Sequence, residues 1–209
     1  MESTHIHIPL HEGQYYHIYN RGNDGIAIFY EERNYMYFLK KYDEYLSDVL
    51  EMYAYCLLPN HFHLLVRVKD FPSFQNLESL KLPSSKQRTV ESIVSELFRR
   101  FLMSYSKSIN TQQSRKGSLF QKNFRRIHVD NEYYFTTVIS YIHSQMRHHG
   151  FKTKDEDYPW SSYLRMLMER PSKLQKQYVL EWFGGKEEYI KFHEMNNSFH
   201  EIKKYIIEE

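Results

Sequence analysis

Two strand-like runs, Met52–Leu58 and Phe62–Val68, are joined across Pro59-Asn60, and this pairing constrains the fold more than any other stretch of the chain. Proline presets a turn and asparagine tolerates its tight backbone, so the two runs read as an antiparallel hairpin. Gln14–Tyr19 (QYYHIY) is rich in β-formers and reads as an earlier strand, followed by a turn-forming loop at Asn20–Gly25. Glu31–Leu50 carries a helical apolar pattern, with Tyr35, Phe38, Leu39, Tyr42, Leu46, Val49 and Leu50 on or near one face. Phe71–Lys86, with its prolines and serines, reads as a loop. Thr89–Ile109 repeats apolar residues at the 3.6 period of a helix, and Ser118–Asp130 reads as a strand pair or an irregular basic ribbon. Asn131–His149 begins at an Asp130 or Asn131 cap and stops at Gly150, the bounds of a further helix. After the acidic turn at Asp155–Pro159 come short helical patterns, broken at Gly184-Gly185. The order β-α-β-β-α-β-α implies an α+β fold, an antiparallel sheet with helices packed on it.

The 209 residues (25.6 kDa) suit one domain with an extension; we place the boundary between 1–150 and a mainly helical 151–209. No apolar run approaches the ~20 residues of a bilayer span, and the first residues lack a signal-peptide core. Cys56 is the only cysteine, which excludes disulfide scaffolds and cysteine-based zinc sites. The expectation is a soluble protein of a reducing cytoplasm, with no membrane partner. Net charge is only +2, yet residues 81–130 hold eleven Lys/Arg against three acids, a local +8. The commonest ligand of such a localised field is a polyanion, and a solvated helix face is the plainer alternative.

Two local patterns carry chemistry. In Pro59-Asn60-His61-Phe62-His63, side chains at i and i+2 of a strand point the same way, so His61 and His63 present two imidazoles together. Such a pair can ligate a divalent metal, although H-x-H by itself marks nothing in most proteins. Four residues separate Tyr141 from Gln145, so they share a helix face; one offers a nucleophilic hydroxyl, the other a neutral oxygen for a hard cation. With 19 tyrosines in the chain, Tyr141 could equally be a core ring. His17 and His128 lie on expected strands with structural or hydrogen-bonding roles. Tyr133 and Tyr134 read as core, and His143 points away from Tyr141.

Taken together the two patterns resemble the tyrosine HUH transposases, the single-strand insertion-sequence enzymes (IS200-like) and the REP-associated tyrosine transposases. The matching segments are YHIYNRGND (Tyr16–Asp24), YAYCLLPNHFHLLVRV (Tyr53–Val68), GSLFQKNFRRIHVDNEYYF (Gly117–Phe135), YIHSQ (Tyr141–Gln145) and YPWSSY (Tyr158–Tyr163), in collinear order. The resemblance implies a ferredoxin-like or RRM-like sheet of the HUH endonuclease type. It also implies a divalent ion, Mg2+ or Mn2+, on His61, His63 and Gln145, with Tyr141 as nucleophile. The implied activity is cleavage and transfer of single-stranded or hairpin DNA through a 5′-phosphotyrosine. Gln145-Met146 stands where the REP-associated branch carries Asn-Pro and is similar to the insertion-sequence branch; the RGN loop and the C-terminal extension are similar to the REP-associated one. Arg21, Arg99, Arg100, Lys122, Arg125 and Arg126 are the candidate phosphate contacts. Monomer and homodimer both stay open. The rival readings are a DNA- or RNA-structure binder that does not cut, and a metal-dependent hydrolase that uses water.

Overall fold

The computed structural model describes residues 8–70, 89–150 and 157–195. The expected hairpin forms: β2 (Leu50–Leu58) and β3 (His61–Val68) pair antiparallel across Pro59-Asn60. Strand β1 (Tyr15–Arg21) pairs antiparallel with β3 on one side and with β4 (Arg125–Val129) on the other. The sheet order is therefore β2-β3-β1-β4. With helix α1 (Glu32–Leu46) between β1 and β2 and helix α2 (Val90–Gln112) between β3 and β4, this is a ferredoxin-like β-α-β-β-α-β unit.

Strand alternation divides the sheet into two faces. Tyr16, Ile18, Phe62, Leu64 and Val66 point toward α1 and α2 in one apolar cluster. Phe38 of α1 anchors it, with ring centroids 5.0 Å from Phe62, 4.8 Å from Phe101 and 5.1 Å from Tyr105. Burying each such ring contributes on the order of 2 kcal/mol. The helices start where capping chemistry permits: Glu31 and Asn34 form a capping box on α1, and Thr89 accepts from Ser92 N–H on α2.

The opposite face is covered as well. Helix α3 (Glu132–His143) lies over Ala54, Cys56, Leu58 and Leu65, and the short α4 (Gln145–His148) follows it. Helices α5 (Tyr163–Leu167), α6 (Lys176–Phe183) and α7 (Lys186–Met195) bring Tyr163, Met166, Val179, Phe183 and Tyr189 into the same cluster as Val138, Ile139 and Ile142 of α3. The break expected at Gly184-Gly185 separates α6 from α7, with Gly184 in the left-handed region at φ 85°. No helix among the described residues is long and apolar enough to cross a membrane.

Four expectations need correction. The Glu31–Leu50 pattern does not stay helical to its end: α1 stops at Leu46, and Leu50 pairs with Val68 instead. Ser118–Asp130 is not a strand pair, because only Arg125–Val129 is a strand; Phe120 makes a single bridge to Gly22, and Asn123 turns the chain at φ 64°. The helix expected over Asn131–His149 is interrupted at Ser144. Tyr133 is 65% exposed on the outer side of α3 rather than core, whereas Tyr134 is buried. The loop expected at Phe71–Lys86 lies outside the described residues.

Candidate active site

The β1–β3 register sets Tyr19 opposite His63 and Arg21 opposite His61. By alternation, His17, Tyr19 and Arg21 share the α3-side face with His61 and His63. The H-x-H pair comes together as its spacing requires, with ring centroids 5.2 Å apart and planes at 83°. Each ring is held through its Nδ1. His61 Nδ1 donates to Asn60 Oδ1 at 2.7 Å, and His63 Nδ1 lies 2.9 Å from His17 Nε2. An amide oxygen can only accept, so His61 carries its proton on Nδ1 and its Nε2 is a bare lone pair.

From the other side, α3 and α4 supply Tyr141 and Gln145. The Tyr141 ring meets His63 edge-on at 5.9 Å and His17 at 6.0 Å. Gln145 is fully buried and donates its Nε2 to the Tyr141 carbonyl at 3.4 Å, which leaves Oε1 as the free end of the amide. Two residues escape a reading by motif alone: His148, whose ring stacks on Tyr141 at 5.6 Å, and His149, 4.5 Å from the His61 ring. Their signal is helical spacing, since His148 follows Tyr141 by seven and His149 follows Gln145 by four.

Burial sets the charge of this cluster. Desolvation, reinforced by His149 and Arg21, pushes His61 down to about 3, and desolvation pushes His63 well below the usual imidazole range. His148 is lowered to about 4 by burial and by Arg147. His61, His63 and His148 are thus neutral near pH ~7, the form that ligates metals. No group of three or more His, Cys, Asp or Glu among the described residues is arranged to hold a metal ion. Two imidazoles and an amide oxygen are a different donor set, and they pass a simple test of fit. His61 Nε2 and Gln145 Oε1 are both buried, face each other closely enough for the two side chains to interact, and make no hydrogen bond of good geometry; a divalent cation satisfies such atoms.

A second network fixes the helix that carries Tyr141. His193 Nδ1 donates to the Tyr189 carbonyl at 2.7 Å, so its Nε2 must accept from His143 Nδ1 at 2.9 Å. His143 Nε2 then accepts from Ser162 Oγ at 2.7 Å, and Ser162 Oγ in turn accepts from Tyr55 N–H at 2.9 Å. The chain of bonds runs from α7 through α3 to β2. Both imidazoles are neutral, because burial holds His143 well below the ordinary range and His193 at about 4. His143 does point away from Tyr141, into this network.

The six candidate phosphate contacts scatter. Arg21 borders the site opposite His61. Arg125 is half-buried on β4 opposite Tyr19, on the same face, and Lys122 is exposed in the preceding loop. Arg126 points to the other face, where its 7% exposed side chain bonds Glu91 at 2.6 Å and the Ile8 carbonyl. These bonds tie it into the fold, and it also lines the groove beside α2. Arg99 and Arg100 both pair with Glu96 on α2, at 2.7 and 2.9 Å. Arg99 also lines a groove of about 1220 Å³ between α2 and the 114–124 segment, together with Lys107, Arg115, Lys116 and Asn20.

No protein-family model matches the chain, and no curated protein does. Among solved structures, a REP-associated tyrosine transposase bound to a REP hairpin is similar over 81% of this chain and 88% of its own. The TM-score is 0.55 at 16% identity, a likeness of fold. A bacterial tRNA(His) guanylyltransferase-like protein in complex with GTP covers 69% of this chain and 71% of its own at a TM-score of 0.35 and 10% identity, too low to argue from.

Proposed function

We propose that the chain is a metal-dependent single-strand DNA nuclease and strand transferase, with Tyr141 as nucleophile and hairpin-bearing DNA as substrate. The observation that carries this reading is the convergence of Tyr141 with His63, and of Gln145 Oε1 and His61 Nε2 as buried unsatisfied acceptors, on one face of the sheet. These groups come from segments about 80 residues apart, and burying His61 and Gln145 against each other without a good hydrogen bond costs stability that a bound cation would offset.

His61, His63 and Gln145 would hold the divalent ion, Mg2+ or Mn2+, which when bound supplies Lewis-acid stabilisation to a phosphoryl oxygen. Arg21, beside His61, is placed to pair with a second non-bridging oxygen. Tyr141 Oη attacks phosphorus; its bond to phosphorus forms as the bond to the 3′-oxygen breaks. Tyr141 is buried, so its phenolic proton would leave through a neighbouring group, and the departing alkoxide would take one up as a 3′-hydroxyl. One phosphate ester replaces another, so a second 3′-hydroxyl can reverse the step and join strands without ATP. The end of β1 is the rim on which the DNA would turn: Asn20 lines the basic groove beside α2, while the next residue, Arg21, faces the site.

The test is incubation with labelled single-stranded and hairpin oligonucleotides and Mn2+, resolved on denaturing gels. The expected result is a protein-linked DNA band in the wild type and none in Tyr141→Phe, which loses a hydroxyl and keeps the ring. Fragments without the linked band support a water-using hydrolase, and a mobility shift without cutting supports a binder. Either outcome replaces this reading.

A further inference from the structure

His17 is fully buried at the centre of β1 and touches both halves of the site. Its Nε2 lies 2.9 Å from His63 Nδ1; its ring stacks on His63 at 5.1 Å and 18°, and on Tyr19 at 5.1 Å and 25°. Its ring is also edge-on to Tyr141. In a hydrogen bond between two imidazoles, one nitrogen carries the proton and the other the lone pair. If His63 donates, its Nε2 is a lone pair and can ligate. If His17 donates, the one proton of neutral His63 sits on Nε2, and that nitrogen is closed to a metal. The direction of this single bond decides whether His63 can be a ligand.

We propose that His17 is a positioning residue, accepting the Nδ1 proton of His63 and so holding that ring in the tautomer and orientation that present Nε2 to the metal. The inference rests on the functional reading above and deepens it. It gives His63 the support that Asn60 gives His61, so both imidazoles of the pair are oriented from behind by a neighbour. Partners of this kind commonly alter metal affinity by about 10–100-fold when removed.

His17→Phe keeps a flat ring in the stack and removes the acceptor; His17→Gln returns an acceptor, Oε1, near the place of Nε2. Mn2+ titration by calorimetry is expected to show affinity about 10–100-fold weaker in H17F and largely restored in H17Q. At limiting Mn2+ the rate of Tyr141–DNA adduct formation falls in H17F, and it recovers at saturating Mn2+; a residue that merely fills the core would not give that split. Long-range 1H–15N spectra of the metal-free wild type, which need no variant, are expected to show His63 protonated on Nδ1. Protonation on Nε2 there, or Mn2+ affinity lost in His63→Ala but unchanged in H17F, overturns the positioning role alone. A wild type that binds no Mn2+ overturns the functional reading, and the His63 tautomer still decides whether His17 is the acceptor.

Discussion

Replacing His193 with Gln removes one titrating group from the buried network that ties α7 to α3, and the consequence for acid stability can be worked out. In the unfolded chain this histidine protonates around 6.5; in the fold, burial lowers it to about 4. Both of its nitrogens are committed in the neutral form, Nδ1 donating to Tyr189 and Nε2 accepting from His143. A proton on Nε2 would face the proton already on His143 Nδ1. Between these two values the unfolded state holds more protons than the folded one. The contribution is therefore fully present above pH ~6.5 and is lost as pH falls toward ~4. At pH ~5 the loss from His193 is about 2 kcal/mol, taking ~1.4 kcal/mol per unit, or roughly 4–8 °C in Tm for a chain of this size. His143 is present in both proteins, so its own share of the acid sensitivity largely cancels. Thermal unfolding followed by circular dichroism from pH ~8 to ~5 should give a flatter curve for H193Q by about that amount, whatever its stability at pH ~8. Parallel curves would show that His193 takes up its proton over the same pH range in the folded and unfolded chain, and its burial as a neutral link in the network would then be wrong.

Two further outcomes follow from the placement of charged and ligating groups. His61→Ala, His63→Ala and Gln145→Ala should each weaken Mn2+ binding in calorimetry, the imidazoles more than the amide; unchanged affinity in both histidine variants sinks the ligand assignment. Arg21→Ala should reduce the slope of log K against log[salt] for single-stranded DNA by about 0.7 with little change in Tm. Arg126→Ala should leave the slope alone and cost about 1–3 kcal/mol of stability, because its guanidinium is buried against Glu91. A salt slope that changes equally in both variants refutes the division of the arginines into surface and structural.

What could be read in the chain was whatever depends on local spacing. The i, i+2 rule places His61 and His63 together, and the i, i+4 rule places Gln145 beside Tyr141. The Pro59-Asn60 turn marks the hairpin because turn residues act within a few positions. Register between distant strands is not local, and there the reading stops. His17 meets His63 only because β1 pairs with β3 in one of several possible alignments. Val49 and Leu50 fit a helical stripe as well as a strand, and the pairing of Leu50 with Val68 decides between them. Arg125 and Arg126 are adjacent in sequence and look alike as charges, yet strand alternation sends one to the His61 face and the other under α2. That separation was available from the two-residue period, once β4 was recognised as a strand.

Helices cover both faces of the four-stranded sheet, and this limits how a nucleic acid can approach. Single-strand binders of related topology spread bases across an open sheet and stack them on its aromatics. Here the sheet's rings, Tyr16 on one side and Tyr15 and Tyr19 on the other, are packed against protein. Among the described residues, the groups of the candidate site that reach the surface are at the end of β1 and the β2–β3 turn, Arg21, Asn60 and His61, with the exposed His149 beside them. Under the proposed function, a strand would then have to reach Tyr141 from that end of the sheet rather than lie flat across either covered face.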